Sequence, residues 1–220
     1  MWIEILPFLL AASLGFRHAF EADHLVAVGN IVTKRDSMRL AMKDGTYWGL
    51  GHTSSILMVG LVMLMLRGVI PGQYFESMEG AVGLMIIALG LIRLWQILKE
   101  DNLRINPQVH VHVDPTGKHI HLHPHKLSFG VGIIHGLAGS GVLIAAAMAT
   151  MNTVGSSLLF LIIFSIGCIG GMVLAAAALS LPFSRKLKSF HKGQQILVFI
   201  SCLLCILLGT RIVFENWFTT

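Results

Sequence analysis

The chain has 220 residues, 55% of them hydrophobic and 12% charged, with a mean hydropathy of +0.75 and a formal net charge of +5. That composition excludes an ordinary soluble domain and fits an integral membrane protein. The calculated pI near 9.4 comes from lysines and arginines gathered between apolar stretches, which points to membrane topology and away from nucleic-acid binding.

Six stretches are long enough to cross a bilayer, which takes about 20 helical residues. They are about 3–32, 46–67, 78–98, 127–150, 156–182 and 194–214. The first is too long for the apolar region of a cleaved signal and carries charge where such a signal has a small-residue cleavage site. Halfway along it stands "HAFEADH", His18 to His24. Two imidazoles and two carboxylates are costly in hydrocarbon, so within a span they mark a functional site by default. On a straight helix Glu21 and His24 fall about 60° and 120° from His18 on one side, and Asp23 about 140° away on the other, with about 9 Å of rise from His18 to His24. One undistorted helix cannot easily present His18, Asp23 and His24 to a single ion. Three arrangements answer this: a locally unwound helix, ligands used in succession along a path, or Asp23 as an acceptor that orients an imidazole.

A basic loop at 33–45 follows, with Lys34, Arg35, Arg39 and Lys43. The second span carries "GLGHTSS", offering His52 with Thr53, Ser54 and Ser55. After the third span comes loop 99–126, with Lys99, Arg104, Lys118 and Lys126 and six of the eleven histidines: His110, His112, His119, His121, His123 and His125. Its "DPTG" between two alternating runs reads as a β-hairpin over 109–123, with His112 opposite His119 and His110 opposite His121. A one-residue bulge at Gly117 would shift that register. The loop is either a metal-handling element or a flexible, weakly chelating linker. The fourth span carries "HGLAGSG", with His135 and Ser140. A lone histidine on an apolar face is more often a hydrogen-bonded packing residue than a ligand, so His135 stands behind the cluster at 18–24. Cys168, Cys202 and Cys205 lie inside the last two apolar runs and read as small packing residues, not a disulfide framework.

Loop 183–193 adds Arg185, Lys186, Lys188 and Lys192, while the alternate loops hold only Arg67. Twelve basic residues against one place the three basic loops in the cytoplasm and both termini outside the plasma membrane. The halves also resemble each other. Residues 15–33 align without gaps on 132–150, matching Gly15 with Gly132, His18 with His135 and Thr33 with Thr150. Gly51-His52 then meets Gly167-Cys168, and "LGLIR" (89–93) meets "LGTR" (208–211). Three spans per half force the second half to enter the membrane upside down. The expected fold is therefore an all-α integral membrane protein, with six transmembrane helices as two inverted three-helix repeats. Residues 1–98 form the first repeat, 99–126 the cytoplasmic His-rich loop and 127–220 the second. In such folds the substrate site lies at the repeat interface near the midplane, which would bring His18 and His135 together.

Imidazole with carboxylate and hydroxyl suits borderline divalent ions such as nickel, cobalt, zinc or copper(II). Neither a thiolate cluster nor an oxygen-only cage of the calcium kind is present. The core candidates are His18, Asp23, His24 and His52, with Glu21, His135, Thr53 and Ser140 as secondary ones. "HAFEADH" is H-x-x-E-x-x-H and lacks the H-E-x-x-H spacing of zinc hydrolases, and no G-x4-G-K-[ST] loop binds a nucleotide. The reading is a permease, not an enzyme, with no organic cofactor; the lipid bilayer and a divalent transition-metal ion are its partners. Efflux by the same fold is the first rival and an intramembrane metalloenzyme the second.

"HAFEADH", as H-x4-D-H, together with "GLGHTSS", resembles the signature segments of the nickel/cobalt transporter family, most of all its six-span, urease-accessory-type nickel permeases. The resemblance implies that His18, Asp23, His24 and His52 handle Ni²⁺ or Co²⁺ as transported substrate. The expected direction is inward, to supply nickel enzymes such as urease, with a cytoplasmic metallochaperone as a further partner. Larger eight-span members carry further acidic segments in the second half; here "HGLAGSG" stands instead. Related efflux permeases carry a histidine-rich loop between spans three and four, as this chain does.

Overall fold

The computed structural model describes residues 2–35, 37–66, 72–99, 125–138, 151, 153–183 and 191–219. Every described element is helical: α1 (Trp2–His18), α2 (Ala22–Val32), α3 (Met38–Leu66), α4 (Gly72–Lys99), α5 (His125–Ala138), α6 (Val154–Ser180), a 3₁₀ turn at Leu181–Phe183, and α7 (His191–Trp217). Four of these are long and apolar enough to cross a membrane, over Met38–Met65, Glu76–Lys99, Val154–Phe183 and Lys192–Trp217. Two shorter apolar helices, Ile5–His18 and Ala22–Val32, occupy the first expected span. That span is two helices, not one. The expected hairpin at 109–123 with His110, His112, His119, His121 and His123, the far half of the fourth expected span, and Ser140 all lie outside the described residues.

The basic segment 33–45 is shorter as a loop than its composition implies, because α3 begins at Met38. Arg39 and Lys43 are good helix formers in a run that has neither glycine nor proline until Gly45, so the helix continues through them. Both side chains are exposed, at the end of the bundle where long cationic side chains reach water. Helix α6 starts on a capping box, with the Thr153 hydroxyl accepting from the Ser156 backbone N–H and the Ser156 hydroxyl from the Thr153 N–H.

The helices meet mainly across the two halves of the chain. Helix α1 packs on α6, α5 on α3, α3 on α6, and α4 on α7. Glycines set these approaches, as is usual where transmembrane helices touch backbone to backbone. A Cβ on Gly15 would stand 2.0 Å from the carbonyl oxygen of Phe164, and one on Gly132 would stand 2.2 Å from that of Trp48. A Cβ on Gly51 would meet the Phe129 carbonyl at 2.2 Å, and one on Gly167 the Ala12 carbonyl at 2.2 Å. Gly136 lies on His52 where Gly132 lies on Trp48, so α5 and α3 run in the same direction; Gly167 on Ala12 and Gly171 on Phe16 give α6 and α1 the same relation. Gly45 against Met172 and Ala176, followed by Gly49 against Ile169, makes α3 and α6 antiparallel.

Trp48, Ile56, Met63, Leu161, Phe164 and Met172 fill the centre. The periphery is apolar, with Met65 75% and Leu98 74% exposed. Such a surface would be an aggregation hazard in water and suits contact with lipid. Where α2 joins α3, buried Asp44 accepts hydrogen bonds from the Arg35 guanidinium, from His125 Nδ1 at 2.8 Å and from the Ser128 hydroxyl at 2.9 Å. The His125 ring stacks on Tyr47, with centroids 5.1 Å apart. His125, assigned with the loop histidines from the sequence, is therefore the first residue of α5 and is held by the helical body.

Candidate metal centre

The break between α1 and α2 answers the geometric problem posed by "HAFEADH". Helix α1 stops at His18, Ala19 to Glu21 form a turn, and Glu21 is extended with φ −63° and ψ 151° before α2 starts at Ala22. Unwinding removes the angular spread that a straight helix would impose. It also leaves the negative end of α1 at His18 and the positive end of α2 beside the carboxylate of Asp23 in its first turn, the sign each group prefers. Helix α3 adds His52 and α5 adds His135, both buried.

The four imidazoles form one group. The ring centroids of His18 and His24 are 4.6 Å apart, His18 and His52 5.3 Å, His24 and His52 5.0 Å, and His24 and His135 4.2 Å. Two sets of ligand atoms lie within 4.8 Å of one another: His18, His24 and His52 in one, and Asp23, His24 and His135 in the other. His24 belongs to both.

The hydrogen bonds assign the ring nitrogens. Asp23 accepts from His24 Nδ1–H at 3.1 Å through Oδ1 and from His135 Nε2–H at 2.7 Å through Oδ2. Glu21 accepts from His18 Nδ1–H at 3.0 Å. Each carboxylate thus turns a bare nitrogen inward, as outer carboxylates do for metal-binding histidines. His18 Nε2 faces His52 Nε2 at 3.2 Å. Two lone pairs at that separation repel unless a proton or a cation lies between them. Nitrogen ligands at about 2.0–2.1 Å on one ion stand about 3.0–3.4 Å apart, depending on the bond angle, so this pair is already spaced for a shared ion. His24 Nε2, His52 Nδ1 and His135 Nδ1 are buried without a partner among the described residues, which is costly for a polar atom unless something else binds it.

Of the secondary candidates, Glu21 and His135 join this group. Thr53 does not: its hydroxyl donates to the Gly49 carbonyl of its own helix at 2.8 Å. Ser55 donates to the Ile133 carbonyl at 2.9 Å and ties α3 to α5 behind the site. Trp48 and Phe164 were not singled out in the sequence. Trp48 lies 5.7 Å from His24 and 5.8 Å from His135 between centroids, and Phe164 lies 5.7 Å from His18. The signal was available: each aromatic stands four residues before a repeat-matched position, His52 or Cys168. All three cysteines are buried free thiols.

The chain has known relatives. Residues 12–211 match the family described as "Cytochrome C biogenesis protein transmembrane region". The chain is 32% identical over 206 residues to the urease accessory protein UreH of Bacillus sp. (strain TB-90), covering 90% of this chain and 89% of that one. It is 30% identical over 108 residues to the nickel transporter NixA of Staphylococcus aureus, which is 43% of this chain and 30% of that one. A high-affinity nickel transport protein of Cupriavidus necator is 29% identical over 89 residues, 39% of this chain and 25% of the relative. No solved structure matches. These relatives are described as transport or accessory proteins and not as catalysts, in line with the expectation that the chain is not an enzyme. The chain is a multi-pass membrane protein that belongs to the family of the cytochrome c biogenesis transmembrane region, and it is similar to urease accessory protein UreH over nearly its whole length and to two nickel transport proteins over part of theirs.

Proposed function

We propose that this protein carries Ni²⁺, and Co²⁺ as a second substrate, across the plasma membrane into the cytoplasm, where it supplies nickel enzymes such as the urease that the UreH name denotes. The observation that carries this reading is the convergence of His18, His24 and His52, with ligand atoms within 4.8 Å of one another, at a helix break inside the bundle. Three imidazoles with one carboxylate behind them suit a borderline divalent ion. The buried negative charge of Asp23 offsets part of what such an ion costs in a low-dielectric interior. A cytoplasmic metallochaperone would receive the ion.

The architecture that supports transport is a pair of inverted repeats. The aligned positions make matching contacts. Gly15 meets Phe164 and Cys168, while its counterpart Gly132 meets Trp48 and His52, which are the counterparts of Phe164 and Cys168. Gly51 meets Phe129 and Ile133, while Gly167 meets their counterparts Ala12 and Phe16. Gly90 meets Cys202 and Ile206, while Gly209 meets Gly83 and Ile87. Matching contacts made by antiparallel counterparts are what a half-turn about an axis in the membrane plane produces. The histidines then lie where the halves meet, as substrate sites do in such transporters.

Reconstitution tests the reading. Radiolabelled nickel is expected to enter proteoliposomes bearing the oriented protein with saturable kinetics, and to do so with the basic loops facing the lumen. Flux only in the opposite orientation would make the protein an efflux permease. Folded protein with no flux above protein-free vesicles would refute transport.

The His-rich loop is proposed to be accessory, because the ligand atoms of His18, His24 and His52 already converge among the described residues. Deleting 107–124 should leave nickel flux while shifting its concentration dependence. His125 must be kept, since it holds buried Asp44. Complete loss of flux in an inserted, folded deletion variant would show that the loop carries ion.

A further inference from the structure

A cavity of about 480 Å³ opens beside the histidines, and it contains carboxylates that the histidine cluster does not use. Glu21, Asp23, His24 and His135 line it, and so do Glu79 of α4 and Glu215 of α7; the two histidines are buried, Glu79 is half-buried and Glu215 is exposed, which orders them from inner to outer. At about 30 Å³ per molecule it has room for some fifteen waters, enough for a hydrated ion. Among the described residues no lysine or arginine lines it. Glu215 is already engaged, its Oε1 accepting from Arg211 Nε at 2.7 Å. Glu79 is half-buried and has no hydrogen-bond or ion-pair partner among the described residues. A half-buried carboxylate that shares a cavity with Glu21, Asp23 and Glu215 and has no cation beside it is unfavourable. Separately, His24 and His135, each 1% exposed, carry ring nitrogens with no partner and line the same cavity. Free nitrogens on the inner wall and a free carboxylate above them are the parts of a cation path.

We propose that Glu79 is the outer ligand of a capture site for a hydrated divalent cation, which then passes to the free nitrogens of His135 and His24, both held by Asp23, and from there to His18, His24 and His52. This rests on the transport reading above. The cavity opens at the end of the bundle where α4 begins and α7 ends, which the distribution of basic residues makes extracytoplasmic. The path starts with an oxygen donor because an oxygen ligand exchanges readily for water on a hydrated ion, whereas the imidazoles complete the borderline-ion site deeper in. His24 then belongs to both inner sets, so the ion can change partners without being released into the apolar interior. A single-sign cleft with low-dielectric walls also concentrates counter-ions and raises their on-rate.

The test is the initial rate of radiolabelled nickel uptake against concentration, in proteoliposomes with the Glu79 face outward. E79Q is expected to raise the half-saturating concentration about tenfold, with the maximal rate within about twofold of wild type and a weaker dependence on ionic strength. E79D, which keeps the charge, should stay within about threefold of wild type in half-saturation. E76Q removes a nearby exposed carboxylate that does not line the cavity and should superpose on wild type. An E79Q curve that coincides with wild type overturns the capture site, as does a lowered maximal rate at unchanged half-saturation. If wild type itself carries no nickel, both readings fall. If wild type does and E79Q matches it, only the capture site falls.

Discussion

Replacing His24 by alanine is expected to abolish nickel transport, with a loss larger than that of any other single ligand substitution. His24 is the residue shared by the two sets of converging ligand atoms. Its removal leaves two donors in each set and also frees one oxygen of Asp23. H18A and H52A should also reduce uptake to background, because they dismantle the three-imidazole set. H135A should weaken transport less, since the inner set survives it. D23N keeps the shape of the carboxylate but loses its charge and one acceptor, and outer-partner losses of this kind cost about 10–100-fold in metal affinity. The measurement is radiolabelled nickel uptake, with folded protein confirmed by size exclusion in detergent. Wild-type rates from inserted, folded H18A and H24A proteins would refute the assignment of the site.

The second large effect is on stability. Gly132→Ala should destabilise the protein because the new methyl would stand 2.2 Å from the Trp48 carbonyl and 2.6 Å from the Trp48 ring. The nearest atom is backbone, so the helices themselves must separate, and overpacking of this kind costs about 1–3 kcal/mol or more. Trp48 also lies against His24 and His135, so nickel uptake should fall with the melting temperature. Gly15→Ala should behave similarly on the α1–α6 side, where the contact is 2.0 Å to the Phe164 carbonyl. Gly130 and Gly170 have nothing within 4 Å of an added Cβ, so alanine there should be tolerated or slightly stabilising, since glycine is a poor helix residue. Thermal unfolding in detergent compares the four variants. A Gly132→Ala protein that melts with wild type would show that the helices do not depend on this close approach.

Much of the site was legible in the chain because bilayer energetics make polar residues in apolar runs conspicuous. His18, Asp23, His24 and His52 stood out on cost alone. His135 stood out only through the repeat that matches it with His18, because on cost alone one histidine among "GIIHGLAG" resembles a packing residue; its partner, Asp23, lies 112 positions away in sequence. Glu79 escaped notice for a similar reason: near the start of a span, a carboxylate can be solvated, and only the cavity shows what it faces. His125 was grouped with its histidine-rich neighbours by composition, while Asp44, 81 positions away in sequence, decides its place.

The sequence by itself determined that the chain is helical and membrane-embedded, and it marked the candidate site residues and the positions of the two halves that resemble each other. Each of these depends on local composition, spacing and hydropathy, which do not require knowledge of distant neighbours. Only the tertiary structure decided how "HAFEADH" resolves its geometry. A straight span and a broken one have the same composition, and the three arrangements open at the sequence level differ only in what faces the segment. Helices α3 and α5 bring His52 and His135 to it, and the turn at Ala19–Glu21 lets His18 and His24 meet them. Unwinding a helix in an apolar environment exposes backbone groups at a cost. That cost is tolerable here because the turn satisfies its own backbone, the Phe20 N–H donating to the Arg17 carbonyl at 2.9 Å and the Glu21 N–H to the His18 carbonyl at 3.0 Å.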